Sequence, residues 1–195
     1  KNKSDYLFIS APENVAWLLN IRGSDVPFSP IVNCYCLIGK DKKILLIGKK
    51  NKFKNLLRKK TIFKNQIIDP KNLADLLEGL RGKNFIIDGK TCSIFYEELI
   101  AKKFYIKKRV DPCYLLKAKK NSAEIKHMIN AHIEDGIALT KFIFWIKNNK
   151  SQSLTEIDAE KKLENLRKRS KNYLYPSFNT IAGSGPNGAI VHYKA

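Results

Sequence analysis

The sequence predicts a mixed α/β domain over residues 1–110, followed by the opening of a second domain over residues 111–195. Two observations support this division. Short β-rich runs alternate with helical patterns through residues 1–110, which is the order that builds a sheet covered by helices. The Asp111-Pro112 pair then interrupts the alternation, because a residue before proline resists the helical conformation. Longer helical patterns follow it.

Local signals define the elements of the first domain. Ser10 and Glu13 have the spacing of a capping box before the first helix. Residues 39–42 join two β-rich runs as a hairpin. Asp69-Pro70 opens a helix with Asp as N-cap and Pro in the first position. The predicted strands are Tyr6–Ile9, Ile31–Ile38, Ile44–Ile47, Ile62–Ile68, Phe85–Ile87 and Tyr105–Val110, and the predicted helices are Val15–Leu19, Lys50–Lys59, Pro70–Leu80 and Phe95–Lys103.

The second domain begins with two helical patterns. Asn121 or Ser122 caps a long helix that runs to about Lys147. Thr155 and Asp158 begin the second helix. Apolar residues lie on one face of the long helix, at Ile125, Met128, Ile129, Ile133 and Ile137. The segment after both helices predicts a β-rich run over 173–180, a glycine-rich turn and a strand over 189–193.

Composition excludes several classes of protein. With 44% hydrophobic and 28% charged residues the chain can bury a core, so it is neither disordered nor fibrous. No apolar run reaches the roughly 20 residues that a membrane span needs. The chain starts at Lys1 and stops at Ala195 within an apparent strand, so we expect a piece of a longer protein, cut at both ends.

The net charge of +19 suggests a polyanion partner, but its distribution weakens that interpretation. Residues 1–112 hold 23 basic and 11 acidic side chains and the remainder hold 14 and 7, so the excess is dispersed. Only 6 of the 37 basic residues are Arg, the residue that best recognises phosphates and bases. One run of cations, Lys49–Lys60, stands out. It is interpreted as a solvated helix face ahead of a binding patch.

The four cysteines, Cys34, Cys36, Cys92 and Cys113, have neither zinc-site nor CxxC spacing. We expect small buried thiols in a reducing cytoplasm. Cys34 and Cys36 are two positions apart, which places them on one face of a strand.

The glycine-rich segment and the histidines give weak signals of chemistry. Residues 183–188 fit G-x-G-x-x-G, but Pro186 removes an amide and a strand-like run follows, so a dinucleotide site is rejected.

His127 and His132 do not share a helix face. His192 follows the turn and, as a lone histidine, is more often structural than catalytic. Residues 165–195 contain no Asp or Glu that could partner it. Ser177 or Ser184 beside it lacks the surroundings of a nucleophile elbow.

Three stretches together resemble the Xaa-Pro aminopeptidases (aminopeptidase P), long form, of the creatinase/prolidase "pita-bread" superfamily. They are Asn14–Pro27 (NVAWLLNIRGSDVP), the run from Asp111 to Leu139, and Pro176–Tyr193 (PSFNTIAGSGPNGAIVHY), which is the most specific. The resemblance implies a creatinase-N-like non-catalytic domain at 1–110 and the start of an α+β pita-bread metallopeptidase domain at 111–195. Peptides with proline at the second position are the implied substrates.

The same resemblance implies site residues. His192 matches the histidine that contacts substrate and stabilises the tetrahedral intermediate, and Phe178 matches the pocket for the N-terminal side chain. Two divalent ions, usually manganese, would be held by ligands beyond Ala195, so no metal ligand is assigned here and this chain alone is expected to be inactive. Arg22 and Asp25 are interpreted as structural ahead of functional.

Alternatives remain open. A prolidase or creatinase relative would keep the family and change the substrate. A non-enzymatic basic binding module would use Lys49–Lys60. The expectations for partners are peptide substrates, no nucleic acid, no membrane and a homodimer in the full-length enzyme. The expected location is the cytoplasm.

Overall fold

The computed structural model describes residues 4–149 and 154–194, which fall into two compact units that divide after Lys119. The first unit is an α/β sandwich and the second is helical over its described residues. Within those ranges no helix combines the length and the apolar character that crossing a bilayer requires. The mixed α/β class predicted for the first domain is confirmed.

A six-stranded mixed sheet forms the centre of the first unit. Its strands are β1 (Tyr6–Ile9), β2 (Tyr35–Gly39), β3 (Ile44–Ile47), β4 (Ile67–Ile68), β5 (Asn84–Ile87) and β6 (Tyr105–Lys108), in the order β4-β3-β2-β1-β5-β6. The β2–β3 and β1–β2 pairs are antiparallel, and the other three pairs are parallel. The predicted hairpin is therefore confirmed, with Ile38 opposite Ile44 next to the turn.

Five α-helices lie among the described residues of this unit and cover both faces of the sheet. They are α1 (Pro12–Leu18), α2 (Lys54–Arg58), α3 (Leu73–Gly79), α4 (Ile94–Ala101) and α5 (Pro112–Ala118). Since successive strand side chains point to opposite faces, Phe8 packs with the residues of α3 and α4, whereas Ile9 packs with those of α1 and α5. Cys34 and Cys36 both lie in the core on the Ile9 side of the sheet, as their spacing predicts.

The second unit contains α6 (Ser122–Asn148) and α7 (Glu156–Arg167), which pack against each other. Of the two candidate caps of α6, Asn121 occupies the N-cap position and forms a capping box with Glu124. The predicted start of α7 is confirmed, with Thr155 and Asp158 forming a second capping box. A 3-10 helix follows at Gly185–Ala189. The five apolar residues of the predicted α6 face are each about half exposed.

Several local predictions are wrong. The strand predicted from Ile31 begins only at Tyr35. Ser10 does not cap α1: its hydroxyl bonds Thr91, and Ala11 takes the N-cap position ahead of Pro12. Only Ile67 and Ile68 of the predicted fourth strand join the sheet, because the Gln66 side chain bonds the backbone of Phe63 and Lys64–Gln66 form a 3-10 turn.

Another error concerns the β-rich runs predicted on both sides of the glycine-rich turn, over 173–180 and 189–193. Neither run forms a strand, and the described part of the second unit holds no strand with which they could pair. A strand without a partner leaves its backbone polar groups unsatisfied. Local hydrogen bonds, Ile190 N–H to Asn187 O and Tyr193 N–H to Ile190 O, hold the second of these runs as turns.

Candidate active-site region

A cleft of about 640 Å³ lies in the second unit, and it includes one of the two residues predicted to contact substrate, Phe178. The Phe178 ring is 64% exposed, so it is available to an apolar ligand. The other lining residues are His127, Asn130, Ala131, Glu134, Asp135, Arg167, Ser170, Asn172, Tyr173, Tyr175, Pro176 and Ser177. They come from α6, the end of α7 and the segment that follows α7.

Adjacent carboxylates on α6 organise the wall of the cleft. Glu134 accepts hydrogen bonds from the Ser170 hydroxyl and from Asn172 Nδ2, the latter at 3.1 Å. Asp135 forms a two-bond ion pair with Arg167, with Nε–Oδ1 at 2.6 Å and Nη2–Oδ2 at 3.2 Å. These contacts tie the chain after α7 to α6 and so place the segment that carries Phe178.

The two histidines of α6 have different surroundings. His127 lines the cleft. His132 does not; its Nδ1 lies 2.8 Å from the Met128 carbonyl of its own helix, which is a local structural contact.

His192 lies outside the set of residues that line this cleft. It is exposed, and its backbone has φ +56°, in the left-handed region that favours glycine. The structure therefore does not bring His192 and Phe178 to one cleft, and the roles implied for them stay predictions. An exposed imidazole is nevertheless free to meet a substrate.

The glycine-rich turn before His192 is closed tightly. A Cβ at Gly183 would lie 3.0 Å from the Asn187 carbonyl oxygen, and Gly185 has φ +55°. Gly183 is required because another part of the backbone lies too close for a side chain, and Gly185 is favoured because its backbone is in the left-handed region.

Glu156, the first residue of α7, is the contact of this turn that sequence reasoning missed. Its carboxylate accepts from the Ser184 backbone amide, from Asn187 Nδ2 at 3.2 Å and from the Tyr193 hydroxyl. The Ser184 amide, followed by the Tyr193 hydroxyl, lowers the pKa of Glu156. The available signal was indirect: residues 165–195 lack any acid, so a carboxylate for this segment has to come from outside it.

No group of three or more His, Cys, Asp or Glu side chains within 4–149 and 154–194 is arranged to hold a metal ion. The residues that the structure describes therefore do not fit a two-metal centre, and no chemistry of this region is assigned to a metal.

Arg22 and Asp25 of the first unit make structural contacts. Arg22 Nη1 donates to the carbonyls of Ala16 and Ile21 at 3.0 and 2.9 Å. Asp25 accepts from the Asn33 backbone amide and pairs with Lys52, both at 2.9 Å, and the Lys52 contact lowers the pKa of Asp25. They shape the loop between α1 and β2 rather than pairing with each other.

A buried polar network joins α1 to α5. Asn14 Nδ2 donates to Asp111 Oδ2 at 2.7 Å, and Lys117 Nζ donates to Asn14 Oδ1 at 2.6 Å. Asp111 also accepts from the Cys113 amide as the N-cap of α5, and its own amide donates to Asp88. The residues at the predicted domain boundary are thus part of the first unit.

Two family models match successive parts of the chain. A family model for the creatinase/prolidase N-terminal domain matches residues 1–124, and one for metallopeptidase family M24 matches residues 126–195. The predicted boundary at residue 110 and the structural division after Lys119 both precede the junction of these two matches.

Relatives match along the full chain. The sequence is 32% identical over 201 residues to an Xaa-Pro aminopeptidase of Drosophila melanogaster, which covers 99% of this chain and 32% of that protein. It is 33% identical over 209 residues to Xaa-Pro aminopeptidase 1 of Dictyostelium discoideum, which covers 100% of this chain and 32% of the relative. The chain spans about a third of the length of these curated relatives.

A solved structure agrees on the fold. The X-prolyl aminopeptidase of Caenorhabditis elegans, described as a cytosolic enzyme with a di-nuclear active site, superposes with a TM-score of 0.74 at 24% identity. The match covers 92% of this chain and 30% of that one.

Proposed function

The chain belongs to the creatinase/prolidase family, and on that basis we propose that the whole protein is a metal-dependent aminopeptidase that hydrolyses the N-terminal Xaa-Pro bond of peptides. The observation that supports this most is the match to two Xaa-Pro aminopeptidases at about one-third identity over essentially the whole chain. That match includes the Pro176–Tyr193 segment with both candidate site residues.

His192 is the proposed catalytic residue of this chain. Its imidazole would donate a hydrogen bond to the oxyanion that develops when the peptide carbonyl becomes tetrahedral, and such a donor is most effective where charge appears in the transition state. Exposure of the ring supports the proposal, since a substrate carbonyl can approach it. Phe178 is proposed to contact the side chain of the substrate's first residue.

Two divalent metal ions, manganese in this proposal, would activate the attacking water in the whole protein. The M24 match and the di-nuclear neighbour support this. The described residues supply no ligand set, so the ligands are proposed to lie beyond Ala195 and this chain alone is proposed to be inactive. We also propose that the whole protein is located in the cytoplasm.

The test measures hydrolysis of an Arg-Pro-Pro-type peptide in the presence of manganese, by the whole protein and by residues 1–195. We expect turnover by the whole protein and none by residues 1–195. His192→Ala should lower kcat by roughly a hundredfold or more, the usual loss on removing an oxyanion donor, with metal content unchanged. His132→Ala is the matched control, because His132 bonds its own helix, and it should retain activity.

Other outcomes decide against parts of the proposal. Loss of bound metal in His192→Ala would make His192 a ligand. Turnover by residues 1–195 would overturn the placement of the metal site. Cleavage of Xaa-Pro dipeptides but not longer peptides would identify a prolidase instead.

A further inference from the structure

Glu156 occupies a fixed position at the start of α7. It follows Thr155, whose hydroxyl caps the helix by accepting from the Asp158 amide at 3.1 Å, and Asp158 in turn accepts from the Thr155 amide at 3.1 Å. A carboxylate in the first helical turn is also favoured by the helix dipole. The glycine-rich turn is therefore attached to a well-formed helix end rather than to another loop.

The hydrogen bonds to Glu156 come from both sides of His192. Ser184 and Asn187 precede the histidine and Tyr193 follows it directly, and all three donate to the Glu156 carboxylate. Asn187 Nδ2 also donates to the Tyr193 hydroxyl at 2.9 Å, which links the two sides to each other. One side chain thus holds the segment from residue 184 to residue 193.

The backbone of His192 requires such support. At φ +56° it occupies a conformation that a residue with a Cβ adopts only when its surroundings fix it. The ring itself is exposed, and no hydrogen bond of the His192 side chain is found in the part of the chain that the structure describes. The conformation of His192 is therefore set through its neighbours.

We propose that Glu156 is a positioning residue for His192: by binding Ser184, Asn187 and Tyr193 it fixes the direction in which the imidazole is presented. The inference rests on the proposed function only for the catalytic consequence. The structural consequence, an ordered His192 segment that depends on one carboxylate, holds for the chain irrespective of its activity.

The structural test measures amide hydrogen exchange over residues 182–194 in this chain. Glu156→Ala should raise exchange of the Ser184 amide roughly tenfold, the effect of losing one charge-assisted hydrogen bond, and should move its proton resonance upfield. Glu156→Gln retains one acceptor oxygen and should give an intermediate rate. Glu160→Gln, on the same helix, should match the parent chain.

A second control separates positioning from helix stability. Thr155→Ala weakens the cap of α7 but leaves Glu156 in place, so it should lower helix stability without selective exchange at Ser184. Equal acceleration in Thr155→Ala and Glu156→Ala would show that Glu156 acts only on the helix. Unchanged exchange in Glu156→Ala would overturn the proposal.

The catalytic test uses the whole protein and Xaa-Pro peptides. Glu156→Ala should lower kcat roughly tenfold with little change in KM, because a misdirected donor is lost from the transition state more than from the bound substrate. Glu156→Gln should recover part of kcat. If the parent protein cleaves no Xaa-Pro peptide, the proposed function fails while the exchange result still decides the positioning role; if it cleaves and Glu156→Ala leaves kcat unchanged, the positioning role fails alone.

Discussion

Burial determines the chemistry of the four cysteines. All are free and buried, which confirms the expectation of small core thiols. Loss of solvation raises the pKa of Cys36 and Cys113 to about 12 and that of Cys34 and Cys92 to about 11. Because the thiolate is the reactive form, none of the four is a nucleophile at neutral pH.

Thiol titration gives a prediction at the scale of residues. The ordinary thiol pKa is 9.0, so above about pH 9 the unfolded chain loses thiol protons that the folded chain retains. The free energy of unfolding should therefore be unaffected by these groups below pH 9 and fall as the pH rises from 9 towards 11. Urea unfolding across this range measures it, with Cys36→Ala as the comparison that flattens the slope. Rapid labelling of native protein by a thiol reagent at pH 7 would contradict the burial of these groups.

The network between α1 and α5 leads to a prediction at the scale of elements. Asp111→Ala removes the N-cap of α5 and leaves the fully buried Asn14 amide without its acceptor. We expect a loss of about 3 kcal/mol in the free energy of unfolding. Asn14→Leu should be similarly destabilising. The double variant should lose less free energy of unfolding than the two single variants added together, by at least about 1 kcal/mol.

Unfolding of the first unit can be followed by Trp17 fluorescence in a Trp145→Phe background, since Trp145 belongs to the second unit. Asp75→Asn is the matched control, because Asp75 is exposed on α3, and it should change stability by less than about 0.5 kcal/mol. Additive effects of Asn14→Leu and Asp111→Ala would show that the two side chains do not act as a unit.

Elements with short-range signals could be predicted from the sequence. The Asn121 and Thr155 caps and the hairpin before Ile44 depend on residues within a few positions of each other, and all three are confirmed. Elements that depend on distant partners could not. The Ser10 hydroxyl bonds Thr91, 81 positions away, and the run after Ala189 has no strand to pair with among the described residues.

The candidate site shows the same dependence on distance. Phe178 and His192 could be proposed only from a resemblance, since neither residue type indicates a role by itself. Glu134 and Glu156 lie 36 and 28 positions from the serines that they bind, Ser170 and Ser184, so no local pattern connects them. The chain after α7 contacts α6 through Ser170 and the start of α7 through Ser184, so only the tertiary fold brings these carboxylates to it.

At the scale of the whole molecule, the positive charge is spread over the surface. Lys49, Lys50, Lys54 and Arg58 are exposed and form no ion pair within the described ranges, but many lysines elsewhere share that condition. Lys52, in the middle of the same run, is bound to Asp25. The structure thus gives the Lys49–Lys60 run a partly structural role, which favours a solvated face over a dedicated binding module.

Heparin chromatography distinguishes these two interpretations. The variant Lys49→Glu/Lys50→Glu/Lys54→Glu and the control variant Lys71→Glu/Lys90→Glu/Lys102→Glu each lower the net charge from +19 to +13, because every change removes two charges. All six lysines are exposed, so neither variant should disturb folding, which circular dichroism checks. If retention follows total charge, both variants should elute at the same reduced salt concentration. Selective loss of retention in the first variant would instead assign a polyanion-binding surface to the Lys49–Lys60 run, and the dispersed charge would no longer explain the behaviour of the chain.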